Sequence, residues 1–459
     1  MDFTSTKVAS SRGLEQAAGW SRRSGDPVLN SGRSWYVLIL LMSAYALSFI
    51  DRQLLNLLVE PVKRSLLLTD TQISFLQGAA FVSAYCLAAP IFGRLVDVAN
   101  RRNVLIVGIM GWSVCTMFCS LADTFWQLAL ARFGVGFFEA SVFPVAWSMI
   151  PQLFSAERTT RAYGTFMLGS QLGSSFSLLA GGFIFAIAGG AIVLLPAGSS
   201  FEIWQASFIV VGLPGLILAM VLFTFRDPHR RSGRQGVADE KFSLQRSLQV
   251  VVARKRFYGC ILVSNGLMGT VNLCLPAWFP AFLGRVYHAP LDRIGLLFGG
   301  TLLVSSTLGL ISGPVFARWL ERRGYDDALL RVSAMAGVGM LLFSLMLPLS
   351  STIFGALLTV SIVIFFSTVC IPLVGSACQL ATPRQMRGLV SSMYALSVQI
   401  VSYGLGPTLV ALCTDKLFKD QLMVGYSLQI VCSTASAIMI GSLLLACSHY
   451  KQIIAEPVE

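Results

Sequence analysis

Twelve apolar stretches, each long enough to cross a lipid bilayer, recur along the 459 residues of this chain. A bilayer core is ~30 Å thick and is spanned by about 20 apolar residues in a helix. Lipid offers no hydrogen bonds to the backbone, so these stretches are expected to be α-helices. The composition, 55% hydrophobic and 12% charged, agrees with a polytopic membrane protein. We place the spans near residues 35–59, 70–95, 103–121, 124–150, 160–187, 203–225, 257–283, 293–318, 330–348, 352–378, 388–412 and 424–447.

Positive charge is distributed unevenly between the two sides of this bundle. With the N-terminus in the cytoplasm, 26 of the 34 Lys and Arg lie in cytoplasmic segments and six on the other side. This asymmetry predicts that both termini are cytoplasmic, and it explains the net charge of +12 without nucleic acid. The polar first 34 residues and the length of the first apolar run argue against a cleaved signal peptide. We expect a multi-pass protein of a cell membrane, of the bacterial inner-membrane type, acting as a monomer.

The longest internal polar segment separates six spans from six. The predicted organisation is a cytoplasmic tail 1–34, a six-helix half 35–225, a cytoplasmic linker 226–256, a second half 257–448 and a cytoplasmic tail 449–459. The second part of the linker, KFSLQRSLQVVVARKRF, places apolar residues on one side and predicts an amphipathic helix.

Two short motifs occur once in each half at nearly the same offset. FSAERTTRAYG precedes the fifth span and contains Arg158 and Arg161, whereas LATPRQMRGLV precedes the eleventh and contains Arg384 and Arg387. GRLVDVANRR after the second span is matched more weakly by GPVFARWLERR after the eighth. The repeat indicates duplicated halves around a central pathway.

Four charged residues lie inside the spans of the first half: Asp51 and Arg52 in the first span, Arg132 and Glu139 in the fourth. Each charge at the bilayer centre costs about 2.5 to 3.5 kcal/mol, so such residues face a partner or a watery cavity and mark a substrate or ion pathway. At 1.5 Å per residue, Asp51 and Arg132 reach comparable depth from their helix ends. Arg132, Gly136 and Glu139 share one helix face. Arg132 is expected to bind the anionic ligand, and Arg52 is expected to contribute less to binding because it extends to the outer interface.

The spans of the second half contain no deep charge. Its spans instead contain polar and aromatic residues, from which we select Asn272, Trp278, Tyr394 and Gln399 as candidate substrate contacts. Such a lining suits an amphipathic ligand whose charged end binds the first half. Three further residues of the same kind are Asn265, Gln379 and Tyr403.

The residue patterns typical of several classes of activity are absent from this sequence. The three His residues are far apart, and the ten Cys include no Cys-x-x-Cys pair, which argues against a metal site. There is no Gly-x-x-x-x-Gly-Lys-Ser/Thr loop for ATP and no Gly-x-Ser-x-Gly nucleophile motif. We therefore expect neither an enzyme nor a bound cofactor, and any transport would run on gradients.

The loop Gly93-Arg-Leu-Val-Asp97-Val-Ala-Asn-Arg101-Arg102 resembles the signature loop of the major facilitator superfamily, and the resemblance extends over all twelve spans. It implies that the acid, Asp97, pairs across the interface of the halves and stabilises the outward-facing state, while Gly93 allows close helix approach. With Arg101, Arg102, Arg158 and Arg161, these residues would form a conformational gate.

Three positions depart from the superfamily pattern. The usual Arg after the acid is Val98, and the usual Gly is Asn100. In the second half Ala317 replaces the acid, so the gate is expected to be one-sided.

YALSFIDRQLLNLLVEPVKRSLLLTDTQISFLQGAAFVSAY and ARFGVGFFEASVFP are similar to the spinster branch, whose eukaryotic members move lysophospholipids and sphingoid phosphates. The resemblance implies that Asp51 and Glu139 are proton-responsive, with Arg132 as their partner. Burial favours the protonated form of a carboxyl group and a neighbouring guanidinium favours the ionised form, which is the physics of a proton carrier. FFEASVFP also resembles the organic anion to cation symporters, which carry sugar acids and aromatic acids.

The leading hypothesis is a proton-coupled secondary transporter of an amphipathic organic anion, a lysophospholipid or sphingoid-type lipid. Its partners would be this small-molecule or lipid substrate, protons and the lipid bilayer. One alternative is a proton symporter of sugar acids or aromatic acids. The alternative of another class is a membrane receptor or sensor that binds such ligands without moving them.

Overall fold

The computed structural model describes residues 31–154, 156–188, 202–225, 244–383 and 386–455, which are helical and contain no strand. Eleven of the described helices are long and apolar enough to cross a membrane. With the helix Ala156–Ala188 they make the predicted all-α architecture of twelve helices. We number them α1 (Ser31–Leu57), α2 (Asp70–Val96), α3 (Arg101–Cys119), α4 (Phe125–Leu153), α5 (Ala156–Ala188), α6 (Ile203–Leu222), α7 (Lys255–Tyr287), α8 (Leu291–Glu321), α9 (Ala328–Met346), α10 (Ile353–Leu380), α11 (Leu389–Phe418) and α12 (Val424–Ala455).

Helix pairings in the first half recur in the second. Helix α2 packs on α4 as α8 packs on α10, and α3 packs on α4 and α6 as α9 packs on α10 and α12. This six-helix offset is the one expected from the sequence repeat. The predicted linker helix is present as Leu244–Ala253, and the rest of the linker, with the first 30 residues, lies outside the described residues.

The two ends of the bundle are distinguished here by the linker. The linker face is the end at which α6 stops at Leu222 and α7 begins at Lys255, and the distal face is the opposite end. The halves meet along α5 and α8, α1 and α7, and α2 and α11. Helices α5 and α8 approach closely because both carry glycine: a Cβ placed on Gly295 would lie 2.6 Å from the backbone nitrogen of Gly182.

Side-chain caps fix where several helices begin. The hydroxyl oxygen of Thr124 accepts a hydrogen bond from the Gln127 backbone at 3.3 Å, and the Gln127 side chain accepts one from Thr124 at 3.2 Å. This reciprocal capping box starts α4. Asn100, which departs from the superfamily's glycine, caps α3 by accepting from the backbone of Asn103 at 3.3 Å.

Three helices of the bundle are interrupted. Helix α4 breaks after its first segment, Phe125–Glu139, and resumes as Val142–Leu153. Helix α2 contains the π-helical turn Phe75–Ala79, and α11 contains the π-helical segment Val398–Leu405. Such π-helical turns often occur at functional positions.

Candidate functional site

Asp51 of α1 and Arg132 of α4 form an ion pair inside the first half. Nη1 of Arg132 lies 3.4 Å from Oδ1 of Asp51, and the two side chains are 1% and 3% exposed, respectively. The hydroxyl of Thr116 on α3 donates to Oδ2 of the same carboxylate. Asp51 therefore pairs with Arg132, the partner that the resemblance implies. It connects three helices of one half.

Arg52 of α1 and Glu139 of α4 form a second ion pair. Nε of Arg52 lies 2.6 Å from Oε2 of Glu139, whose side chain is fully buried. Among the described residues, the other carboxylate oxygen of Glu139, Oε1, has no hydrogen-bond partner. The expectation that Arg52 extends to the outer interface is wrong, because a buried carboxylate within reach compensates its charge.

Aromatic rings surround the guanidinium of Arg52. Its central carbon lies 4.4 Å from the ring centre of Phe81, 4.8 Å from that of Phe49, and 5.7 Å from those of Tyr85 and Tyr403. Tyr403 belongs to α11, so the second half contributes to this shell. Each cation–π contact is worth about 0.5 to 2 kcal/mol depending on its desolvation. The Arg52/Glu139 pair therefore lies at the boundary between the halves.

Small residues bring the helices together around this boundary. A Cβ placed on Gly136 of α4 would lie 3.0 Å from the carbonyl carbon of Phe81, so α2 approaches α4 one turn before Glu139. A Cβ placed on Gly78 would lie 3.3 Å from the carbonyl carbon of Tyr403. The π-helical segments of α2 and α11 thus cross next to Arg52.

Two of the candidate contacts in the second half serve packing in this structure. The indole of Trp278 is fully buried and donates to the carbonyl of Pro407 at 3.0 Å. The amide nitrogen of Asn272 donates to the carbonyl of Met268 at 3.1 Å, and its oxygen accepts from Ser367 at 3.0 Å. These bonds hold α7 to α11 and to α10. They give no support to a direct contact of either side chain with a ligand.

Two other candidates of the second half, Tyr394 and Gln399, lie on α11. The carbonyl of Tyr394 accepts from the amide of Asn265 at 2.8 Å, and Gln379 donates to Ser391 at 2.7 Å. Within the described part of the chain, Oε1 of Gln399 is buried without a partner. Gln399 lies in the same π-helical segment as Tyr403, about one turn nearer the linker face.

The predicted gate residues lie on the linker face. Buried Arg101 donates to the carbonyl of Ser148 at 3.1 Å and to the side chain of Gln152 at 2.8 Å, which ties α3 to α4. Arg102 donates to the carbonyl of Phe225 at 3.1 Å, at the end of α6.

Three other gate residues, Gly93, Arg158 and Arg161, make no contact across the halves with any residue that the structure describes. A Cβ placed on Gly93 would meet nothing within 4 Å, so the close approach implied by the resemblance is not made in this conformation. Arg158 and Arg161 are exposed at the start of α5. The side chain of Asp97 lies outside the described residues.

A second group of buried charges lies at the distal face, and sequence analysis missed it. It joins Glu60, Lys63 and Asp70 of the first half to Arg285 of the second. Arg285 is 8% exposed, so the expectation that buried charge is confined to the first half is wrong. These residues lie at the ends of predicted spans, where charged residues are common. The signal that could have identified them is the presence of both acidic and basic residues on the side of the membrane where few Lys and Arg are expected.

The profile of the Major Facilitator Superfamily matches residues 41–407. The chain therefore belongs to this superfamily of membrane transporters, and it is not an enzyme. It is 23% identical over 434 residues to an MFS-type efflux pump of Mycolicibacterium smegmatis, covering 92% of this chain and 95% of that protein.

Other relatives include both kinds of transporter suggested by the sequence. The chain is 25% identical over 308 residues to the hexuronate transporter of Escherichia coli, covering 63% of this chain and 67% of that protein. It is also 25% identical over 333 residues to the zebrafish (Danio rerio) sphingosine-1-phosphate transporter SPNS2, covering 69% and 63%. A solved bacterial homologue of the human lysosomal transporter spinster, inward-facing and unoccupied, matches with a TM-score of 0.71 at 20% identity over 92% of this chain and 96% of the other. The predicted fold and the similarity to spinster proteins are confirmed.

Proposed function

We propose that this chain is a proton-coupled secondary active transporter that moves an amphipathic organic anion, a lysophospholipid or sphingoid-type lipid, by alternating access. The observation that carries the proposal is the position of the Arg52/Glu139 pair: it is buried, and Tyr403 of the other half contacts it. A charge pair at the boundary between two moving halves changes its surroundings whenever the halves move.

The contacts of this pair would couple proton binding to anion binding. Arg52 contacts one carboxylate oxygen of Glu139, and a proton on that carboxylate would release the guanidinium to bind a ligand anion. Proton binding and anion binding would then favour each other, and this linkage is reciprocal. Without the proton, an anion has to compete with Glu139 for Arg52. Arg52, rather than the fully buried Arg132, is therefore the cation that we assign to the ligand.

The two acids receive different roles in this proposal. The sequence predicted that both Asp51 and Glu139 respond to protons. The carboxylate of Asp51 is contacted on both oxygens, by Arg132 and Thr116, and all three belong to one half. We assign the transported proton to Glu139 and the fixing of α1, α3 and α4 to Asp51.

The substrate class is inferred from the chemistry on each side of the boundary. The first half supplies Arg52, and the second supplies Tyr403 together with the amide of Gln399, so a charged headgroup and an apolar body would be held by different halves. The similarity to a sphingosine-1-phosphate transporter supports a lipid. The similarity to the hexuronate transporter supports the second candidate, a small organic acid.

The membrane orientation is part of the same proposal. We assign the linker face to the cytoplasm, because most Lys and Arg lie in segments at this face. With the six-helix halves, the linker and the two tails predicted from sequence, this orientation gives a multi-pass protein with cytoplasmic termini. We propose that it acts as a monomer.

The test is transport into liposomes that contain the purified protein. A pH gradient is imposed, and lysophospholipids, sphingoid phosphates, sugar acids and aromatic acids are offered in turn, with and without a protonophore. We expect accumulation of a lysolipid or sphingoid phosphate that stops when the protonophore removes the gradient. Accumulation of sugar acids alone would replace the lipid proposal with the second candidate. Binding without any movement would indicate a receptor and would overturn the transport proposal.

A further inference from the structure

The distal face contains a group of four charged residues that bridges the two halves, and three of the four are buried. Nε of Arg285 lies 2.6 Å from Oε1 of Glu60, and its Nη1 and Nη2 each lie 2.7 Å from one oxygen of Asp70. Nζ of Lys63 also donates to Asp70. We call Glu60, Lys63, Asp70 and Arg285 the distal charge cluster.

The cluster is divided unequally between the halves. Glu60 and Lys63 lie on the short helix Val59–Ser65 that follows α1, and Asp70 is the first residue of α2. Only Arg285, near the end of α7, comes from the second half. The cluster is neutral when it is assembled. If the halves separate at this face, Arg285 leaves as a single cation and the first half keeps one surplus negative charge.

A second polar contact crosses the same face. The backbone and hydroxyl of Thr71 both donate to one oxygen of Asp415 on α11, at 2.8 and 2.7 Å. This contact lies next to Asp70 in sequence, so the start of α2 is held by both α7 and α11. In the conformation seen here, the distal face is closed by these contacts.

We propose that the distal charge cluster is the element that holds the distal face closed, and that it must come apart each time this face opens during transport. The proposal rests on the alternating-access function above. Arg285 makes its contacts to Glu60 and Asp70 only in the closed state. A contact made in one state alone shifts the equilibrium toward that state. Breaking a buried ion pair is costly because it leaves charge without its partner.

Lys63 has the opposite effect in this arrangement. It belongs to the same half as Asp70, so it can stay paired with that carboxylate after Arg285 leaves. In the closed state it is held beside the same carboxylate as Arg285, and the two cations repel each other. Lys63 therefore supplies a replacement partner in the open state and a repulsion in the closed state. Both properties favour opening.

Arg285→Gln and Lys63→Gln each remove a cationic partner of Asp70. We expect them to have opposite effects on the fraction of molecules with an open distal face. Arg285→Gln removes contacts made only in the closed state, so we expect the distal-open population to rise by about tenfold or more. Lys63→Gln removes the replacement partner, so we expect this population to fall. A general loss of positive charge would shift both variants in the same direction.

The experiment is hydrogen–deuterium exchange of the purified protein in lipid nanodiscs, followed by mass spectrometry, and it needs no substrate. Peptides covering residues 58–74 and 285–296 report opening of the distal face, and peptides covering 101–119 and 203–222 report folding. We expect faster exchange at the distal peptides in Arg285→Gln, slower exchange in Lys63→Gln, and wild-type exchange in Arg293→Gln, which changes an exposed arginine of the same half.

If Arg285→Gln proves too unstable to purify, Glu60→Gln replaces it. Glu60 is 20% exposed, so its loss is milder, and we expect a smaller acceleration in the same direction. Wild-type exchange in Arg285→Gln, or in Glu60→Gln where that variant replaces it, would overturn the proposal. So would an acceleration in Lys63→Gln. If the variants change exchange as expected but the protein transports none of the substrates offered, only the proposal on the substrate is rejected.

Discussion

Two ion pairs connect α1 with α4, and they differ in what surrounds them. Asp51 and Arg52 are neighbours in sequence, but successive residues of a helix point about 100° apart. Asp51 therefore faces Arg132 and Thr116 inside the first half, whereas Arg52 faces Glu139 and the ring of Tyr403 from the second half. Both pairs are buried. The difference is that only one of them lies where the two halves meet.

In the proposed mechanism, the Asp51/Arg132 pair is structural and the Arg52/Glu139 pair is functional. A pair enclosed in one rigid half keeps its partners in every conformation, so it contributes equally to both states and shifts nothing. A pair at the boundary loses or gains contacts as the halves move. The position of a buried charge relative to the moving interface therefore says more about its role than its burial does.

The largest effect is expected for Arg132→Ala. This change leaves Asp51 buried without its cation, which costs about 3 to 5 kcal/mol of stability. We expect a large fall in the thermal unfolding temperature, and recovery of much of it in the double variant Asp51→Leu with Arg132→Met, which removes both charges. If Arg132→Ala is as stable as the wild type but no longer binds ligand, the two pairs have the reverse of the roles assigned here.

Arg52→Ala should act on binding more than on stability. In the proposed mechanism Glu139 exchanges a proton and Asp51 does not, so protonation can neutralise Glu139 when its cation is removed. A hydrogen bond to a charged group is worth about 1.5 to 3 kcal/mol, so we expect the Kd for the anionic substrate to rise roughly 10- to 100-fold. Arg52→Lys should recover part of the loss. Unchanged affinity in direct binding to Arg52→Ala would remove this residue from the site.

The comparison extends to the loops of the linker face. Buried Arg101 holds α3 to α4, whereas Arg322 in the corresponding loop of the second half is exposed. We expect Arg101→Gln to lower the transport rate about tenfold and Arg322→Gln to leave it within about twofold, since exposed charges contribute little. Initial uptake rates in liposomes measure both. Equal defects would contradict a one-sided gate.

The smallest effect is expected for the aromatic shell. Tyr85 and Tyr403 are equally far from the Arg52 guanidinium, but only Tyr403 comes from the second half. At about 0.5 to 1 kcal/mol for one cation–π contact, we expect Tyr403→Leu to change the transport rate about threefold. Tyr85→Leu should change it less. A larger effect for Tyr85→Leu would mean that the inter-half contact is not the one that matters.

The fold could be predicted from the sequence because its determinants are local. Length and hydrophobicity define each span, and loop charge sets the expected orientation. The capping residues Thr124 and Asn100 act on helix starts a few residues away. The π-helical segments Phe75–Ala79 and Val398–Leu405 were not predicted, because they form where α2 and α11 cross and so depend on tertiary contacts.

The candidate site could be predicted only in part. The four charges in apolar spans are the residues that form the two buried ion pairs, and helix depth placed Asp51 level with Arg132. The partner of Arg52 was missed because depth along a helix does not give its rotation against a neighbour. Arg285 was missed for a related reason: its partners Glu60 and Asp70 lie more than 200 residues away, and each residue looks ordinary at the end of a span.

The measurement that tests the difference between the two pairs most directly is pH-driven uptake by Glu139→Gln and Asp51→Asn, side by side in liposomes. Each change removes an ionisable proton and keeps the shape of the side chain. We predict that Glu139→Gln loses accumulation driven by the pH gradient and keeps exchange of ligand for ligand. Asp51→Asn should be less stable than the wild type but still accumulate substrate. The exposed control Glu321→Gln should accumulate substrate with unchanged stability. Normal pH-driven accumulation in Glu139→Gln, or its loss in a folded Asp51→Asn protein, would contradict this account.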